Sequence, residues 1–462
     1  ANCGGGTTPW GTVLSAEENF QSQVPEAVYA DGSSALPSQR PFLCRENKLA
    51  GLGNVYGLAG NKYGWIVELD PENPDQVVRK HTALGRFRHE AVAVRAEAGK
   101  PLQVYSGCDR RGGHLYRFVS SGFLSNRKDK SNSKLFESGD LQVARFHADG
   151  SGEWLSLKPQ AVVDPFRPSR FNDADLNCPL ELPHRDRTQT GAELFRDDEA
   201  VDDYCQLFPT LADLYRGEGD ARQGAILIDT HLAASAIGAT PTARPEDTKL
   251  DPLSGDLLIA FTSGAPGRRG GADPAVFRGP QGQTSWGHGW VMRLTDHADR
   301  SFNWTMAVTG GEPWLGGLGF TNPDNLALDQ RGNLWIVTDR SFKSASGDVF
   351  GNNSCWLVPR DGGSALCFAI GPMESEVTGV CLDQQETSLF LAVQHPGEVH
   401  GALASGGIEY QSHDLVDREG KPFQQLRQVP LGSNWPAKAP GRPPRPGVVA
   451  IRRCSGEPLL NA

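Results

Sequence analysis

The feature that most narrows the fold of this chain is a hairpin that recurs along it. Residues 324–339 run Asp-Asn-Leu-Ala-Leu-Asp, a turn at Gln330-Arg331-Gly332, then Asn-Leu-Trp-Ile-Val-Thr-Asp. Apolar and polar positions alternate in both arms, which is the period of a half-buried strand, and the Gly-bearing turn joins two such strands. The same pattern recurs at 90–109, 246–262 and 376–395 with length changes confined to turns. A fifth copy opens the chain: Gly11 and Glu18 follow Cys3 by eight and fifteen residues, the offsets that separate Asp324 from Gly332 and Asp339.

Repeated hairpins of this kind, separated by stretches able to supply outer strands, specify a β-propeller in which each innermost strand lines a central channel. The expectation is an all-β chain of about six blades with helical and loop insertions. Its 54 Gly and 32 Pro are dispersed, as many short strands and tight turns require. Residues 1–462 are read as one propeller domain, although the length exceeds the roughly 150 residues of an ordinary core. An insertion is expected at about 120–240, with helical patches at 194–214 and 225–237, and a Pro-rich C-terminal strap at about 425–462.

In an antiparallel hairpin the residue that opens the first strand and the residue that closes the second lie across from each other. The repeat therefore predicts a ring of Cys3, Glu90, Glu246, Asp324 and Glu376, with Glu18, Asp109, Asp339, Gln394 and His395 beside it. So many carboxylates would repel one another and take up protons unless cations neutralise them. Hard oxygen donors suit calcium, and a thiolate among carboxylates suits a transition metal such as iron. Arg88 and Arg244 each stand two residues before a ring carboxylate. A guanidinium beside cations is sensible when a multiply charged anion such as phosphate is held between them.

Other signals exclude more than they assign. A net charge of -10 argues against nucleic acid as a partner, and no apolar run is long enough for a membrane helix. The nine cysteines lack C-x-x-C spacing, so neither a zinc ribbon nor a thioredoxin-like site is expected. His89 and His395 read as hydrogen-bonded structural histidines, Gly4-Gly5-Gly6 as a flexible lead-in to Cys3, and the acidic groups at 70–75 and 197–199 as solvated loops. The chain starts at Ala1, so a signal or a longer N-terminal portion is expected to have been removed ahead of it.

These segments resemble the PhoX-type alkaline phosphatases. The likeness rests on Asn2-Cys3-Gly4-Gly5, Thr8-Pro9-Trp10-Gly11-Thr12, Glu17-Glu18-Asn19, Gly85-Arg86-Phe87 with His89-Glu90, Arg244-Pro245-Glu246-Asp247, Pro323-Asp324-Asn325-Leu326, and Glu376 before Thr378-Gly379. The resemblance implies a propeller enzyme, periplasmic or secreted, that hydrolyses phosphate monoesters with calcium and iron. By residue it implies metal binding at Cys3, Glu18, Glu90, Glu246, Asp324, Asn325 and Glu376, and phosphate contacts at Arg88 and Arg244, with Arg88, Arg244 and Glu246 in catalysis. It also implies that family members carry a substantial region ahead of the cysteine motif. A monomer acting on small phosphate monoesters is expected. Two other readings stay open: a calcium-dependent propeller lactonase or phosphotriesterase, and a non-enzymatic, metal-stabilised propeller that binds protein partners.

Overall fold

The computed structural model of the protein describes residues 2–35, 43–45, 48–50, 57–173, 176–341, 349–417 and 419–460. It divides into two compact units, the first comprising Ala1–Leu250, Gly264–Arg278 and Leu294–Thr305, the second Asp251–Ser263, Gly279–Arg293 and Met306–Ala462. The Cys44 side chain lies outside the described residues, and the other eight cysteines form no disulfide among those described.

In the first unit, alternation builds the strands. Within strand Val13–Glu17 the buried Leu14 and Ala16 face the core two residues apart. That strand pairs antiparallel with Asn2–Thr7 on one side and Ile66–Leu69 on the other, and Arg79–His81 completes a four-stranded sheet. A second sheet runs in the order Ala93–Arg95, Pro101–Gly107, Leu115–Phe123, Gly139–Phe146, Ser151–Ser156. Three of those strands lie in or extend into the stretch where the sequence rhythm breaks. The longer link between Leu115–Phe123 and Gly139–Phe146, which carries the 3-10 turn Lys130–Glu137, hides the hairpin from the repeat pattern.

Helices follow at Asp198–Leu207, Asp220–Ile228 and Thr230–Ala236. The first starts where it does because the Asp197 carboxylate accepts the Ala200 N–H at 2.8 Å, with Asp198 and Glu199 favouring the positive end of the helix. Its Val201 and Tyr204, one turn apart, go into a continuous apolar core with Leu14, Phe87, Val104 and Tyr116.

In the second unit, Pro323–Leu328, Leu334–Thr338, Ser354–Val358 and Leu366–Ile370 form a four-stranded antiparallel sheet. Its first hairpin turns because the Asp329 carboxylate accepts the N–H groups of Arg331 at 3.0 Å and Asn333 at 2.9 Å, while Gly332 takes φ 80°. Glu376–Leu382 pairs with Ser388–Gln394, which pairs with Gly447–Arg452. The region read as a strap thus contributes a strand, and its earlier part lies in the long hairpin Ile408–Val416 with Pro422–Pro430. Trp335, Val337, Leu389 and Leu391 form the core between these sheets.

Candidate metal centre

Cys3 reaches its place through close backbone packing. Asn2 pairs with Glu17, which sets Cys3 and Glu18 at the same end of their hairpin. The strand then presses on residues 90–92: the Val92 N–H donates to Gly5 O at 3.1 Å. A Cβ at Gly4 would stand 2.8 Å from Glu90 O, and one at Gly6 2.2 Å from Val92 O. The glycines are therefore a packed strand that lets two backbones touch, where the sequence suggested a flexible lead-in. Gly6→Ala is expected to lower unfolding stability by about 1–3 kcal/mol, read as a shifted denaturation midpoint, because a carbonyl oxygen cannot move aside.

This contact brings the Cys3 thiol to Glu90, to whose Oε1 it donates at 2.5 Å. Cys3 Sγ and one carboxylate oxygen each from Glu18 and Glu90 all lie within 4.8 Å of one another, and both glutamates are buried. Glu246 brings a further carboxylate oxygen within 4.8 Å of one on Glu90. It is positioned by Gly107, where a Cβ would sit 2.6 Å from Pro245 O, so this strand also demands a bare backbone next to it.

The residue two before the carboxylate is left-handed in three repeats: Arg244 at φ 60°, Asn322 at φ 52° and Glu374 at φ 52°. Asn tolerates this conformation, whereas for Arg and Glu it costs about 1 kcal/mol or more. Three unrelated side chains forced into one backbone state is a structural sign that Glu246, Asp324 and Glu376 occupy equivalent positions.

Burial, reinforced by the Asp109 charge, pushes the Glu18 carboxyl up to about 8, with Arg244, Arg88 and a hydrogen bond from Asn19 pulling the other way. The folded chain thus holds this proton more tightly than the unfolded chain, whose Glu titrates near 4.5. That contribution is fully present below about pH 4.5 and is lost as pH rises through about 8. The cation-free protein is expected to lose on the order of a few kcal/mol of stability from pH 5 to pH 9, and calcium to raise the melting temperature more at pH 9 than at pH 5. Thermal scans with and without the ion check both slopes.

The two arginines are held by carboxylates. Arg88 donates from Nε and Nη2 to Glu26 at 3.2 and 2.7 Å, and Arg110 donates to the same carboxylate. Burial would push Glu26 up, but the Arg110 and Arg88 guanidiniums hold its carboxyl well below the usual range. Arg244 grips Asp109 through Nε at 2.8 Å and Nη2 at 3.0 Å, and its Nη2 lies 2.8 Å from Glu246 Oε1. Asp109 thus meets the guanidinium. Glu26 and Arg110 were not singled out from sequence, because neither stands at a repeat position. His89 is fully buried between Ser106 Oγ at 3.0 Å and Gly85 O at 2.9 Å, and burial pushes its imidazole down to about 3, so it is a neutral structural group.

The second unit gathers its own predicted residues. Asp324 Oδ1 accepts from Asn325 Nδ2 at 2.9 Å, and Asn325 Oδ1 accepts the Gly379 N–H at 2.7 Å. Glu376 stands directly opposite Gln394, whose Nε2 donates to it at 2.8 Å. Burial, with Asp339 adding to it, pushes the Glu376 carboxyl up to about 8 against hydrogen bonds from Asp324 and Gln394. His395, next in the chain, is exposed.

The chain is an all-β protein of the β-propeller class, with acidic residues collected at strand starts. The family model described as alkaline phosphatase PhoX matches residues 1–397, and the chain belongs to that family, which makes it a phosphatase. Pseudomonas fluorescens PhoX, solved in complex with vanadate, a transition state analogue, is 27% identical with a TM-score of 0.65, and the match covers 99% of this chain and 70% of that one. A protein from Lactobacillus plantarum matches over 79% of this chain and 77% of its own at 9% identity, and its TM-score of 0.25 carries no argument. No curated protein matches the sequence. Among the described residues no helix is long and apolar enough to cross a membrane.

Proposed function

We propose that the chain hydrolyses phosphate monoesters, releasing inorganic phosphate, at a cation centre that uses calcium and iron. The observation that carries this reading is the convergence of Cys3 Sγ with oxygens of Glu18 and Glu90 within 4.8 Å. The donor set fits the ions: a Glu18 carboxyl that burial and the Asp109 charge push up to about 8, further buried carboxylates beside it, and one thiol among them. Cys3, Glu18, Glu90 and Glu246 would hold ions in the first unit, while Asp324, Asn325 and Glu376 offer donors in the second. When bound, such ions supply Lewis-acid charge for the phosphoryl oxygens and make water a competent nucleophile at moderate pH.

The chain's own residues supply the rest. Arg88 and Arg244 present guanidinium donors suited to two oxygens of one phosphate. Asp109 aims Arg244 through a two-point contact, and Glu26 does the same for Arg88. Both clamps strengthen as charge grows on the equatorial oxygens during phosphoryl transfer. The protein acts as a periplasmic or secreted monomer on small phosphate esters.

Elemental analysis paired with p-nitrophenyl phosphate turnover, before and after EGTA treatment and calcium return, tests the proposal. Iron with calcium, and turnover that vanishes and returns with calcium, is expected, together with inhibition by vanadate and inorganic phosphate. Calcium without iron, with lactone or triester hydrolysis and no phosphate release, would overturn it.

A further inference from the structure

A cavity of 460 Å³ in the first unit, within the size range of small-molecule sites, is lined by Arg88 and by a second arginine, Arg269, that the proposed chemistry leaves unused. The Arg269 side chain is 67% exposed and that of Arg88 24%, so both guanidiniums are open to an entering ligand.

A tight turn presents Arg269. The Gly267 N–H donates to Gly270 O at 2.8 Å, which puts Arg268 and Arg269 at the tip of a four-residue turn. That turn is seated on Arg111: a Cβ at Gly267 would stand 2.7 Å from Arg111 Cδ and one at Gly270 3.1 Å from Arg111 O, while Arg111 Nη1 donates to Ala265 O. Strand Arg111–Gly113 pairs in turn with Thr242–Ala243, which leads straight into Arg244. The arginine turn is therefore anchored to the strand pair that carries Arg244.

The charges on the cavity lining do not balance. Glu26 takes both Arg88 and Arg110, and Arg86 is spent on backbone carbonyls. Glu181 takes Arg269, through Nε alone among the described residues. Asp229 accepts from Tyr215 at 2.9 Å, and burial pushes its carboxyl up to about 6, while burial pushes His231 down to about 4 and so leaves it neutral. Even with Asp229 ionised, four guanidiniums meet three carboxylates. The surplus falls at Arg269, whose two Nη groups have no partner among the described residues and lie in one plane as a pair of donors.

A neutral leaving alcohol makes no use of such an edge. A phosphate or carboxylate does, because it accepts two parallel N–H···O bonds from one guanidinium. We propose that Arg269 is a specificity residue that binds a second anionic group on the leaving alcohol, so that the enzyme favours phosphate esters of anionic alcohols, sugar bisphosphates foremost. The inference rests on the phosphomonoesterase reading, with Arg88 on the reacting phosphate, and adds what the far end of the substrate carries.

The test compares kcat/KM for fructose 1,6-bisphosphate with that for fructose 6-phosphate in wild type, Arg269→Gln and Arg268→Gln, each loaded with calcium and iron. In Arg269→Gln the ratio of the two is expected to fall about 10-fold, the scale of one charge-assisted contact partly screened by solvent. Arg268 is exposed and outside the lining, so Arg268→Gln should hold the ratio within about 2-fold. Equal falls in both variants would reduce the effect to a general attraction of anions and overturn the contact. An unchanged ratio in Arg269→Gln overturns it as well, and both results leave the phosphatase reading intact. If the loaded wild-type enzyme turns over neither ester, the phosphatase reading fails instead. Calorimetric titration with fructose 1,6-bisphosphate then decides the subsite: weaker binding by Arg269→Gln than by wild type and Arg268→Gln supports it, and equal or absent binding by all three overturns it.

Discussion

Glu90→Ala is expected to abolish cation loading and reduce turnover of p-nitrophenyl phosphate by about 10³-fold or more, the scale set by losing several kcal/mol of metal-derived stabilisation. Glu90 is chosen because it meets both Cys3 and Glu246: the thiol donates to its Oε1 at 2.5 Å, and Glu246 lies within 4.8 Å. Removing its carboxylate separates the thiol from the other donors. Cys3→Ser is expected to be milder and selective, lowering iron content more than calcium, since a hydroxyl replaces a soft donor with a hard one. Metal content by elemental analysis, together with turnover, checks both. A Glu90→Ala protein that keeps its ions but loses activity would shift Glu90 from ion binding to proton transfer.

Much of this arrangement was legible in the sequence because the repeat couples spacing to geometry. The offset shared by Cys3–Glu18 and Asp324–Asp339 marks two hairpins, and both form, with Asn2 opposite Glu17 and Pro323 opposite Thr338. Period two then places acidic groups at strand starts without knowledge of the fold. What spacing could not give were contacts made across the chain by residues outside the repeat. Glu26 follows the first hairpin in a loop without regular structure, yet it binds Arg88 and Arg110 from 62 and 84 residues away. Nothing local marks it. The glycine run at 4–6 was misread for a related reason: sequence shows glycine's freedom, while the structure uses its missing side chain against Glu90 and Val92. The left-handed residues at 244, 322 and 374 were also hidden, because Arg, Asn and Glu share no propensity that would align them.

Arg244→Ala should separate anion recognition from ion binding. The arginine is not a candidate ligand, so calcium and iron are expected to load when supplied in excess, with an affinity weakened by about 10–100-fold at most because Arg244 also touches Glu246. The phosphate contact goes, and a charge-assisted two-point contact of about 2–3 kcal/mol corresponds to a loss of roughly 10²-fold in kcat/KM. Inhibition by inorganic phosphate should weaken in parallel, because product and transition state present the same oxygens to the guanidinium. A second consequence follows from Asp109. Without its partner this carboxylate is uncompensated, and Arg244 no longer opposes the burial and Asp109 charge that push Glu18 up to about 8. The Glu18 proton is therefore held to still higher pH in the variant, so cation binding, which must displace it, should need more alkaline conditions than in wild type. Arg244→Lys keeps the charge but cannot reproduce the two-point grip on Asp109, so it should restore the pH dependence of cation binding more fully than it restores phosphate affinity. If Arg244→Ala kept wild-type kcat/KM and phosphate inhibition, Arg244 would be a structural partner of Asp109 alone, and Arg88 would carry the phosphate by itself.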